Sequence, residues 1–327
     1  MTRFWPFAML TVNDQEKTLD SIALTERTGC PLCDCTDWTM HIDFPDIPVV
    51  RCVSCKFMYS QKVLSESDIE SSYTDSPSSE RCRQGQIVNA RNNTWMIDYL
   101  LGIETLTSIL DIGTGYGFLL EQLQVNKSLK SAGVELSVKD ARYGRDQLGL
   151  NIINKLLSES GLEKGSFDLV TAFEVIEHTV RPIEFIRELT EYVSVGGHLI
   201  IMTDNFESRM VRELGAGFPK WIPDSHISHF GFDTLTRAIK QIPELKIERT
   251  LTYSTWEVYL RRFYYKARGV RKTPDQATGL GMSNNVDSAD KFRLFWLRKA
   301  INRLWLRLNV SGRTDGDVMF FLLRKMH

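Results

Sequence analysis

The feature that most constrains the fold is a glycine-rich segment, ILDIGTGYG, at positions 109–117 of the 327-residue chain. The apolar run Ser108–Ile112 predicts a buried strand, and Phe118–Val125 predicts a helix directly after the glycines. Three glycines allow the backbone between them to turn sharply and to approach a ligand closely. The segment therefore predicts a strand, a turn and a helix whose N-terminal N–H groups face a bound ligand.

Strand and helix signals alternate on both sides of this segment. Helices are predicted at Gln86–Leu101 and at Pro182–Val193, where proline suits the first turn. Further strands are predicted at Ala132–Leu136, Asn151–Asn154, Phe167–Phe173, His198–Thr203, Leu245–Thr252 and Val318–Leu323. Gly196 and Gly197 predict a turn before the fifth of these seven strands. Alternating strands and helices predict an α/β fold with a mostly parallel sheet covered on both faces.

The glycine-rich segment also indicates which of two kinds of nucleotide cofactor the chain binds. Enzymes that bind dinucleotides place their third glycine one residue later, in the pattern G-x-G-x-x-G. Asp111 precedes the glycines, and its carboxylate would repel a pyrophosphate but would suit a cationic ammonium group. The charge of this residue therefore favours S-adenosylmethionine over NAD.

Five segments together resemble the motifs of class I S-adenosylmethionine-dependent methyltransferases, in order and spacing. They are LDIGTGYGFLLEQL, AGVELS, FDLVTAFEVIEHTVRPIEFIREL, VGGHLIIMTDN and HISHFGFDTLTRAI, which span about residues 84–251. The resemblance implies a Rossmann-like sheet of seven strands with the last strand antiparallel. It also implies that S-adenosylmethionine is the cofactor and that Glu135 binds its ribose hydroxyls. The adenine-contacting acid of the family is not evident near Asn154–Ser158, so the adenine contacts stay open.

The loop and the ends of the second and fourth strands supply the predicted cofactor site. The cofactor-binding residues that we predict are Asp111, Gly113, Gly115, Tyr116, Gly117, Glu135, Phe173 and Glu174. These residues lie at or just after the carboxyl ends of predicted parallel strands, where ligands bind in sheets of this type.

A polar cluster follows the fourth strand and predicts the chemistry. Glu174, Glu177 and His178 come directly after that strand, and His226 and His229 follow the fifth strand. We predict Glu177, His178, His226 and His229 as catalytic residues. Three interpretations stay open: one histidine acts as a general base, the cluster holds Mg²⁺, or the glutamates and histidine orient the adjoining loop. FEVIEH resembles the metal motif of quinone-pathway and small-RNA O-methyltransferases, and His226 corresponds best to a further histidine of the latter.

Two C-x-x-C pairs near the N-terminus predict a metal site. Eighteen residues separate Cys30 and Cys33 from Cys52 and Cys55, a spacing that suits a tetrahedral zinc ion with four thiolate ligands. Cys35 is the second-choice ligand. Four thiolates leave no open position on zinc, so the predicted role is structural. The segment resembles the zinc-ribbon-like module found ahead of many small-molecule and sugar methyltransferases.

These signals divide the chain into three parts. We expect a lead-in at 1–26, a zinc-ribbon-like module at 27–75 and a methyltransferase domain at 76–327 with a helical insertion at about 253–316. No secretory signal and no apolar run of about 18 residues is present, which predicts a cytoplasmic protein.

The predicted insertion is strongly basic and aromatic. Residues 254–312 contain twelve basic and four acidic residues, a local net charge of +8, whereas the whole chain carries −1. Two basic helices joined by the loop Gln276–Asp290 are expected. They are interpreted as a lid over the active site, as a surface for an acidic or lipid-linked acceptor, or as a peripheral contact to an anionic membrane. Nucleic acid is the less favoured partner.

The function predicted from these features is methyl transfer to oxygen or carbon of a small-molecule or carbohydrate-type acceptor. The main alternative is a Mg²⁺-dependent O-methyltransferase acting on RNA or on a lipid quinone precursor. A non-catalytic protein that binds S-adenosylmethionine is a further alternative, although the intact loop and Glu135 argue against it.

Overall fold

The computed structural model describes residues 24–65, 68, 80–124, 128–269 and 295–327. Its strands, in chain order, are β1 (Thr25–Glu26), β2 (Trp38–Ile42), β3 (Val49–Cys52), β4 (Met58–Ser60), β5 (Lys62–Val63), β6 (Ser108–Ile112), β7 (Lys130–Val134), β8 (Ile152–Ile153), β9 (Phe167–Phe173), β10 (Val193–Asp204), β11 (Ser228–His229), β12 (Leu245–Tyr253) and β13 (Val318–Lys325). Its α-helices are α1 (Glu80–Leu101), α2 (Phe118–Leu123), α3 (Val138–Leu148), α4 (Pro182–Tyr192), α5 (Arg209–Leu214), α6 (Phe232–Ile239), α7 (Trp256–Arg268) and α8 (Phe295–Asn309).

Seven strands form the central sheet in the order β12-β13-β10-β9-β6-β7-β8. The five strands from β10 to β8 are mutually parallel, and β13 runs antiparallel to both β10 and β12. The predicted fold class, an α/β sheet of seven strands with an antiparallel last strand, is confirmed. Because helices cover both faces, the central strands read as continuous apolar runs rather than as alternating ones.

Alternate residues of each strand serve two separate cores. Ile109 and Leu169 pack in one apolar cluster with α1, α2 and α8, whereas Leu110 and Val170 pack in the other cluster with α4 and α6. Successive side chains of a strand point to opposite faces, so one strand stabilises both layers. This arrangement fixes β6 and β9 side by side, and their carboxyl ends therefore meet at one edge of the sheet.

One strand differs from its predicted bounds by more than two residues at an end. The fifth strand of the central sheet begins at Val193 rather than at His198, because Val193 already pairs with Phe167. The pairing register shifts between Val193 and His198, and Gly196 in this interval has a φ of 80°. The prediction of a turn at the two glycines was wrong, since they form a bulge inside a continuous strand.

The cysteine-bearing segment does not stand apart from the central domain. Strands β2, β3 and β4 form a four-stranded sheet whose fourth strand is β11, contributed by the segment after β10. Tyr59 of β4 pairs with Ser228 of β11. Phe57 packs in the same apolar cluster as Phe230 and Leu235 of the central domain. The small module therefore shares its core with α6, which compensates for its size.

Two helices stand between β12 and β13, where a helical insertion was predicted. The Trp256 indole of α7 donates a hydrogen bond of 2.9 Å to the Asn302 side chain of α8, and Tyr259 packs edge-on against Trp305. Residues 270–294, which include the predicted loop, lie outside the described residues, as do residues 1–23 of the predicted lead-in. No helix within the described ranges is long and apolar enough to cross a membrane.

Candidate active site

The glycine loop between β6 and α2 adopts the conformation that its glycines allow. Gly113, Gly115 and Gly117 have φ values of 69°, 56° and 83°, in the left-handed region that other residues rarely adopt. A Cβ atom at Gly113 would lie 2.6 Å from the Val175 side chain, so there is no space for a larger residue. The loop therefore requires glycine for both its backbone conformation and its packing.

Glu135 ties this loop to the end of the neighbouring strand β7. One carboxylate oxygen accepts a 2.7 Å hydrogen bond from the Gly115 backbone N–H, and the other accepts one of 2.7 Å from the Ser137 N–H. The Asn154 side chain donates to the carbonyl oxygens of Glu135 and Leu136 and holds the same strand end. Burial raises the pKa of Glu135 to about 7, while the two N–H donors act in the opposite direction.

Asp111 lies beneath the loop rather than at its surface. Its side chain is almost fully buried and accepts a 2.6 Å hydrogen bond from the Thr171 hydroxyl on the adjacent strand. Burial raises the pKa of Asp111 to about 6, and the Thr171 hydrogen bond partly opposes the shift. The predicted attraction between the Asp111 carboxylate and a ligand's ammonium group would thus act through the glycine loop rather than by direct contact.

Two aromatic residues of the predicted cofactor set have different surroundings. Tyr116 is buried, and its ring packs edge-on against Tyr143 of α3 at 5.1 Å. Phe173 is half-buried at the carboxyl end of β9, where its ring packs against Phe320 of β13 at 6.1 Å. Of the two, Phe173 has the more accessible ring at the ligand-binding edge of the sheet.

Sequence reasoning missed Gln86, a residue of α1. Its side-chain oxygen accepts a 3.1 Å hydrogen bond from the Tyr116 backbone N–H, and its amide group would meet any side chain at Gly115. Gln86 therefore contacts the glycine loop directly. No local motif marks this residue, because only the packing of α1 on the loop brings it there.

A buried lysine, also missed, joins two carboxylates at the ends of β9 and β10. The Lys220 ammonium lies 2.8 Å from a Glu174 oxygen and 3.2 Å from an Asp204 oxygen, and all three side chains are less than 10% exposed. Burial alone would lower the pKa of Lys220, but Asp204 and Glu174 outweigh that effect and raise it above the ordinary value. Glu174 adopts a φ of 55°, a strained conformation that is typical of functional sites.

The structure brings together three of the four predicted catalytic residues. The atoms of Glu177, His178 and His226 that could bind a metal ion, one carboxylate oxygen and two ring nitrogens, all lie within 4.8 Å of one another. The Thr203 hydroxyl donates to one Glu177 oxygen at 2.9 Å, whereas the other oxygen is buried and has no hydrogen-bond partner among the described residues. Burial and the nearby carboxylates of Asp204 and Glu174 raise the pKa of Glu177 to about 8.

The contacts of His178 define its tautomer. Its Nδ1 atom lies 2.9 Å from the carbonyl oxygen of Ser225, which can only accept a hydrogen bond. Nδ1 therefore carries the proton, and Nε2 keeps its lone pair. Burial lowers the pKa of His178 to about 4, so the ring is neutral at physiological pH. Its ring lies edge-on to His226 at 4.9 Å.

The fourth predicted catalytic residue, His229, lies in a different environment. Its ring is fully buried on β11, between Phe206 at 4.6 Å and Trp221 at 5.0 Å, and in the part of the chain that the structure describes neither ring nitrogen has a hydrogen-bond partner. The structure does not bring His229 into the group formed by Glu177, His178 and His226. Its surroundings are those of an aromatic core.

The two cysteine pairs form matching backbone knuckles. In the first, Cys30 N–H donates to the Cys35 carbonyl at 2.9 Å, and in the second, Cys52 N–H donates to the Phe57 carbonyl at 2.9 Å. The residue after each second cysteine, Asp34 or Lys56, has a φ of 56° or 65°. Cys35 thus occupies the position equivalent to Phe57, which is not a ligand position.

The four paired cysteine side chains converge on one point. The Sγ atoms of Cys30 and Cys55 are 3.4 Å apart, and those of Cys33 and Cys52 are 3.6 Å apart. A tetrahedral zinc site with Zn–S bonds of about 2.3 Å has sulfur–sulfur edges of about 3.8 Å. A disulfide needs sulfurs about 2.05 Å apart, so the observed spacing suits metal ligation.

The cysteine module also holds the segment that carries His226. The Ser60 hydroxyl donates to the Pro223 carbonyl at 2.7 Å, and the Ser60 N–H donates to the Ile227 carbonyl at 3.1 Å. The Ile227 N–H in turn donates to the Glu177 carbonyl at 2.9 Å. A continuous chain of hydrogen bonds therefore runs from the module to the group formed by Glu177, His178 and His226.

Comparison with known proteins agrees with this fold and loop. Residues 88–242 match the model of a family described as a methyltransferase domain. Together with the order of the seven strands, the match identifies this part of the chain as a class I S-adenosylmethionine-dependent methyltransferase domain. The family resemblance seen in the sequence is confirmed for this domain, and the branch with a zinc-ribbon-like module stays a prediction.

Curated relatives share part of the chain. The ubiquinone biosynthesis O-methyltransferase of Caulobacter sp. (strain K31) is 30% identical over 126 residues, covering 35% of this chain and 49% of the relative. The mitochondrial ubiquinone biosynthesis O-methyltransferase of Dictyostelium discoideum is 33% identical over 129 residues, covering 34% of this chain and 40% of the relative. The chain spans about half the length, or less, of these relatives.

Solved structures show more distant similarity. A S-adenosylmethionine-dependent methyltransferase of Thermotoga maritima, described as a possible histamine N-methyltransferase, is 16% identical with a TM-score of 0.48 and covers 74% of this chain and 93% of its own. The plantazolicin methyltransferase BpumL in complex with SAH is 15% identical with a TM-score of 0.46 and covers 80% of this chain and 90% of its own.

Proposed function

We propose that this chain is an S-adenosylmethionine-dependent methyltransferase that modifies oxygen or carbon of a small-molecule or carbohydrate-type acceptor. The observation that carries the proposal is the glycine loop in its left-handed conformation, bound through Gly115 to the Glu135 carboxylate at the ligand-binding edge of the sheet. The cofactor would supply an electrophilic methyl group on its sulfonium. The protein's part is to position the acceptor and to take up its proton.

The residues present fit this cofactor. The three loop glycines allow the left-handed backbone of the loop, and a side chain at any of them would meet neighbouring protein side chains. Glu135 supplies carboxylate oxygens for ribose hydroxyls, and Asp111 supplies negative charge beneath the loop. Phe173 and Glu174 lie at the end of the adjoining strand. We therefore assign the cofactor to this edge of the sheet.

The charges beside the cofactor site favour a neutral hydroxyl-bearing acceptor. Glu174 and Asp204 both pair with Lys220, and the Glu177 carboxyl, whose pKa is about 8, is mostly protonated at neutral pH. Because both carboxylates already engage this lysine, it is not available to bind a phosphate, which argues against RNA. The neutral His178 is a suitable proton acceptor through Nε2, with His226 beside it. The relatives named as O-methyltransferases support oxygen as the atom methylated.

The alternative mechanism uses a divalent cation held by Glu177, His178 and His226. The Glu177 Oε1 and His226 Nδ1 atoms have no hydrogen-bond partner among the described residues, which favours this candidate, and Nδ1 lies 3.8 Å from an Asp204 oxygen. Two imidazoles with one carboxylate suit Mn²⁺, Fe²⁺ or Zn²⁺ better than Mg²⁺, which prefers oxygen ligands. A lipid quinone precursor is the acceptor that the names of the relatives suggest for this alternative.

We further propose that Cys30, Cys33, Cys52 and Cys55 hold a structural zinc ion. The four converging sulfurs and the paired backbone knuckles support it, and four thiolates leave no open position for catalysis. Zinc–thiolate sites are typical of reducing compartments, which supports the cytoplasmic location predicted from the sequence.

Label transfer tests the proposed function. Incubating the protein with methyl-labelled S-adenosylmethionine and cell extract is expected to place label in the small-molecule or glycan pool. The Asp111→Ala variant is the control and should transfer none. Cofactor binding by calorimetry without label in any pool would favour a non-catalytic protein, and label in nucleic acid would contradict the acceptor class proposed.

The same assay separates the two mechanisms. After chelation, zinc is added back alone or together with Mn²⁺ or Mg²⁺. If zinc alone restores transfer at one zinc ion per chain, the cation acts only at the cysteines and the general-base mechanism stands. Recovery that needs two zinc ions per chain would place the second ion at Glu177, His178 and His226. A requirement for a second ion per chain would establish the cation mechanism. The Glu177→Gln variant should then bind only the ion at the cysteines and should lose activity.

Replacing Lys220 with methionine is expected to lower the transfer rate by about 100-fold, since it releases Glu174 from its position beside the acceptor. The affinity for S-adenosylmethionine should fall as well, because Glu174 is one of the predicted cofactor-binding residues. The free energy of unfolding should fall by about 3–5 kcal/mol, because two buried carboxylates lose their only cation. Steady-state kinetics, calorimetry and thermal unfolding measure the three effects.

Two variants control this experiment. Lys240→Met changes an exposed lysine and should be silent, and Lys220→Arg keeps the charge and should restore most of the stability. Transfer by folded Lys220→Met protein within twofold of the wild-type rate would show that Lys220 has only a structural role.

A further inference from the structure

Helix α7 presents an apolar stripe to solvent. Leu260 and Phe263 are 57% and 73% exposed, and Ala267 is exposed one turn further along. Their spacing of three and four residues places them on one face of the helix. Val258, on the opposite face, is buried against α5 and its neighbours, so the exposed stripe is additional to the side that holds the helix in place.

Helix α8 presents a second stripe of the same kind. Leu297, Leu304 and Leu308 are 53%, 61% and 72% exposed, and the exposed Ala300 lies between them on the same face. The inward side is held by the buried Leu306 and by Trp305, whose indole donates a 2.8 Å hydrogen bond to the Ser254 carbonyl. Leucine at this spacing and exposure marks an interaction surface rather than a solvated face.

Basic residues accompany both stripes. The two helices carry eight basic residues and one acidic residue, Glu257, in their sequences. Lys266 of α7 and Arg303 of α8 are exposed beside the stripes. A helix with an exposed apolar stripe and a basic flank is typical of segments that lie in the interface of an anionic membrane. Nucleic acid would use the cations but would leave the leucines without a partner.

We propose that α7 and α8 together form a docking surface for an anionic lipid bilayer. The leucine and phenylalanine side chains enter the acyl boundary, and the lysine and arginine side chains contact anionic headgroups. The Trp256–Asn302 hydrogen bond joins the two helices, so both stripes belong to one packed unit. None of the stripe residues is among those assigned to the cofactor site, so we expect vesicle binding to require neither cofactor nor acceptor.

Vesicle co-sedimentation of the full chain tests this proposal. The wild-type protein is expected to bind vesicles of phosphatidylcholine with phosphatidylglycerol and to bind pure phosphatidylcholine much more weakly. The double variant Leu304→Glu/Leu308→Glu should lose at least about tenfold in affinity. Lys266→Gln and Arg303→Gln should each lose about fivefold, as expected from about 1 kcal/mol per cation near an anionic surface.

Val195→Glu is the matched control, because it changes an equally exposed apolar residue on β10 and should bind as the wild type does. Equal thermal unfolding of all variants shows that they are folded. Equal affinity of the leucine variant and the wild type would overturn the proposal. The proposal would also be overturned if the wild-type protein did not bind vesicles but formed oligomers that Leu304→Glu/Leu308→Glu disrupts. A second copy of the chain would then cover the surface.

Discussion

Replacing Cys52 with serine is expected to abolish zinc binding and to lower the free energy of unfolding by at least about 5 kcal/mol. Zinc ligation would add to the folding energy that the module gains from its shared core with α6, and a site with three thiolates and a hydroxyl would bind the metal poorly. For a chain of this size the loss corresponds to a fall in Tm of about 10 °C or more. Metal analysis and thermal unfolding measure the two effects.

Cys35→Ser is the matched control for this prediction. Cys35 lies five residues after Cys30, and its Sγ contacts only the Asp37 carbonyl among the polar contacts described for it. The Cys35→Ser variant should keep one zinc ion per chain and unfold as the wild type does. A Cys52→Ser protein with full metal content, or with unchanged Tm, would contradict the proposed ligand set.

Loss of zinc should also disturb the positions of Glu177 and His226 before the central sheet unfolds. Ser60 holds the segment that carries His226, and Ile227 holds the Glu177 backbone. Since the cofactor loop has no hydrogen bond to the module among those described, cofactor affinity should outlast methyl transfer during chelation. This order distinguishes local loss of the site from global unfolding.

Glu135→Gln is expected to weaken the binding of S-adenosylmethionine by at least about 100-fold, equivalent to about 2.7 kcal/mol. The glutamine side chain has one oxygen, so its NH₂ group must face the N–H of either Gly115 or Ser137. One buried donor is left unpaired, at a cost of about 1–3 kcal/mol, and the charge-assisted hydrogen bonds are lost as well. The loop also loses its link to β7. Isothermal titration calorimetry measures the effect.

The pH dependence of binding gives a second test of Glu135. Because burial raises its pKa to about 7, the carboxylate takes up a proton as the pH falls through 7. The anionic form is the one that accepts both N–H groups, so wild-type affinity should fall below pH 7 and be constant above it. Glu135→Gln should lack this step.

Glu104→Gln changes an exposed glutamate before β6 and serves as the control for both measurements. An affinity of Glu135→Gln within twofold of the wild type would remove Glu135 from the cofactor site.

Signals that lie within a short stretch of chain predicted their structures well. The apolar run Ser108–Ile112 and its glycines specify a buried strand and a left-handed loop, because both depend on local backbone conformation. The strand Phe167–Phe173 was likewise predicted to the residue. The cysteine pairs, too, converge as their spacing indicates, since each knuckle closes within six residues.

Longer-range contacts account for what the sequence could not show. The predicted turn at Gly196 became a bulge because Val193 pairs with Phe167 across the sheet. Lys220 carries no motif, and it becomes part of the site only through Glu174, 46 residues earlier in the chain. His229 was grouped with the catalytic residues by topology, but the pairing of β11 with β4 places its side chain among buried aromatic rings.

The amino-acid sequence by itself therefore determined the fold class, the glycine loop and the cysteine cluster. Apolar periodicity, glycine conformation and cysteine spacing are properties of short segments, and they do not depend on the contacts made by distant parts of the chain. Only the tertiary structure decided which buried charges face one another, which histidines meet, and that the cysteine module joins the active site. Those outcomes depend on burial and on the pairing of distant segments, which exist only after the chain has folded.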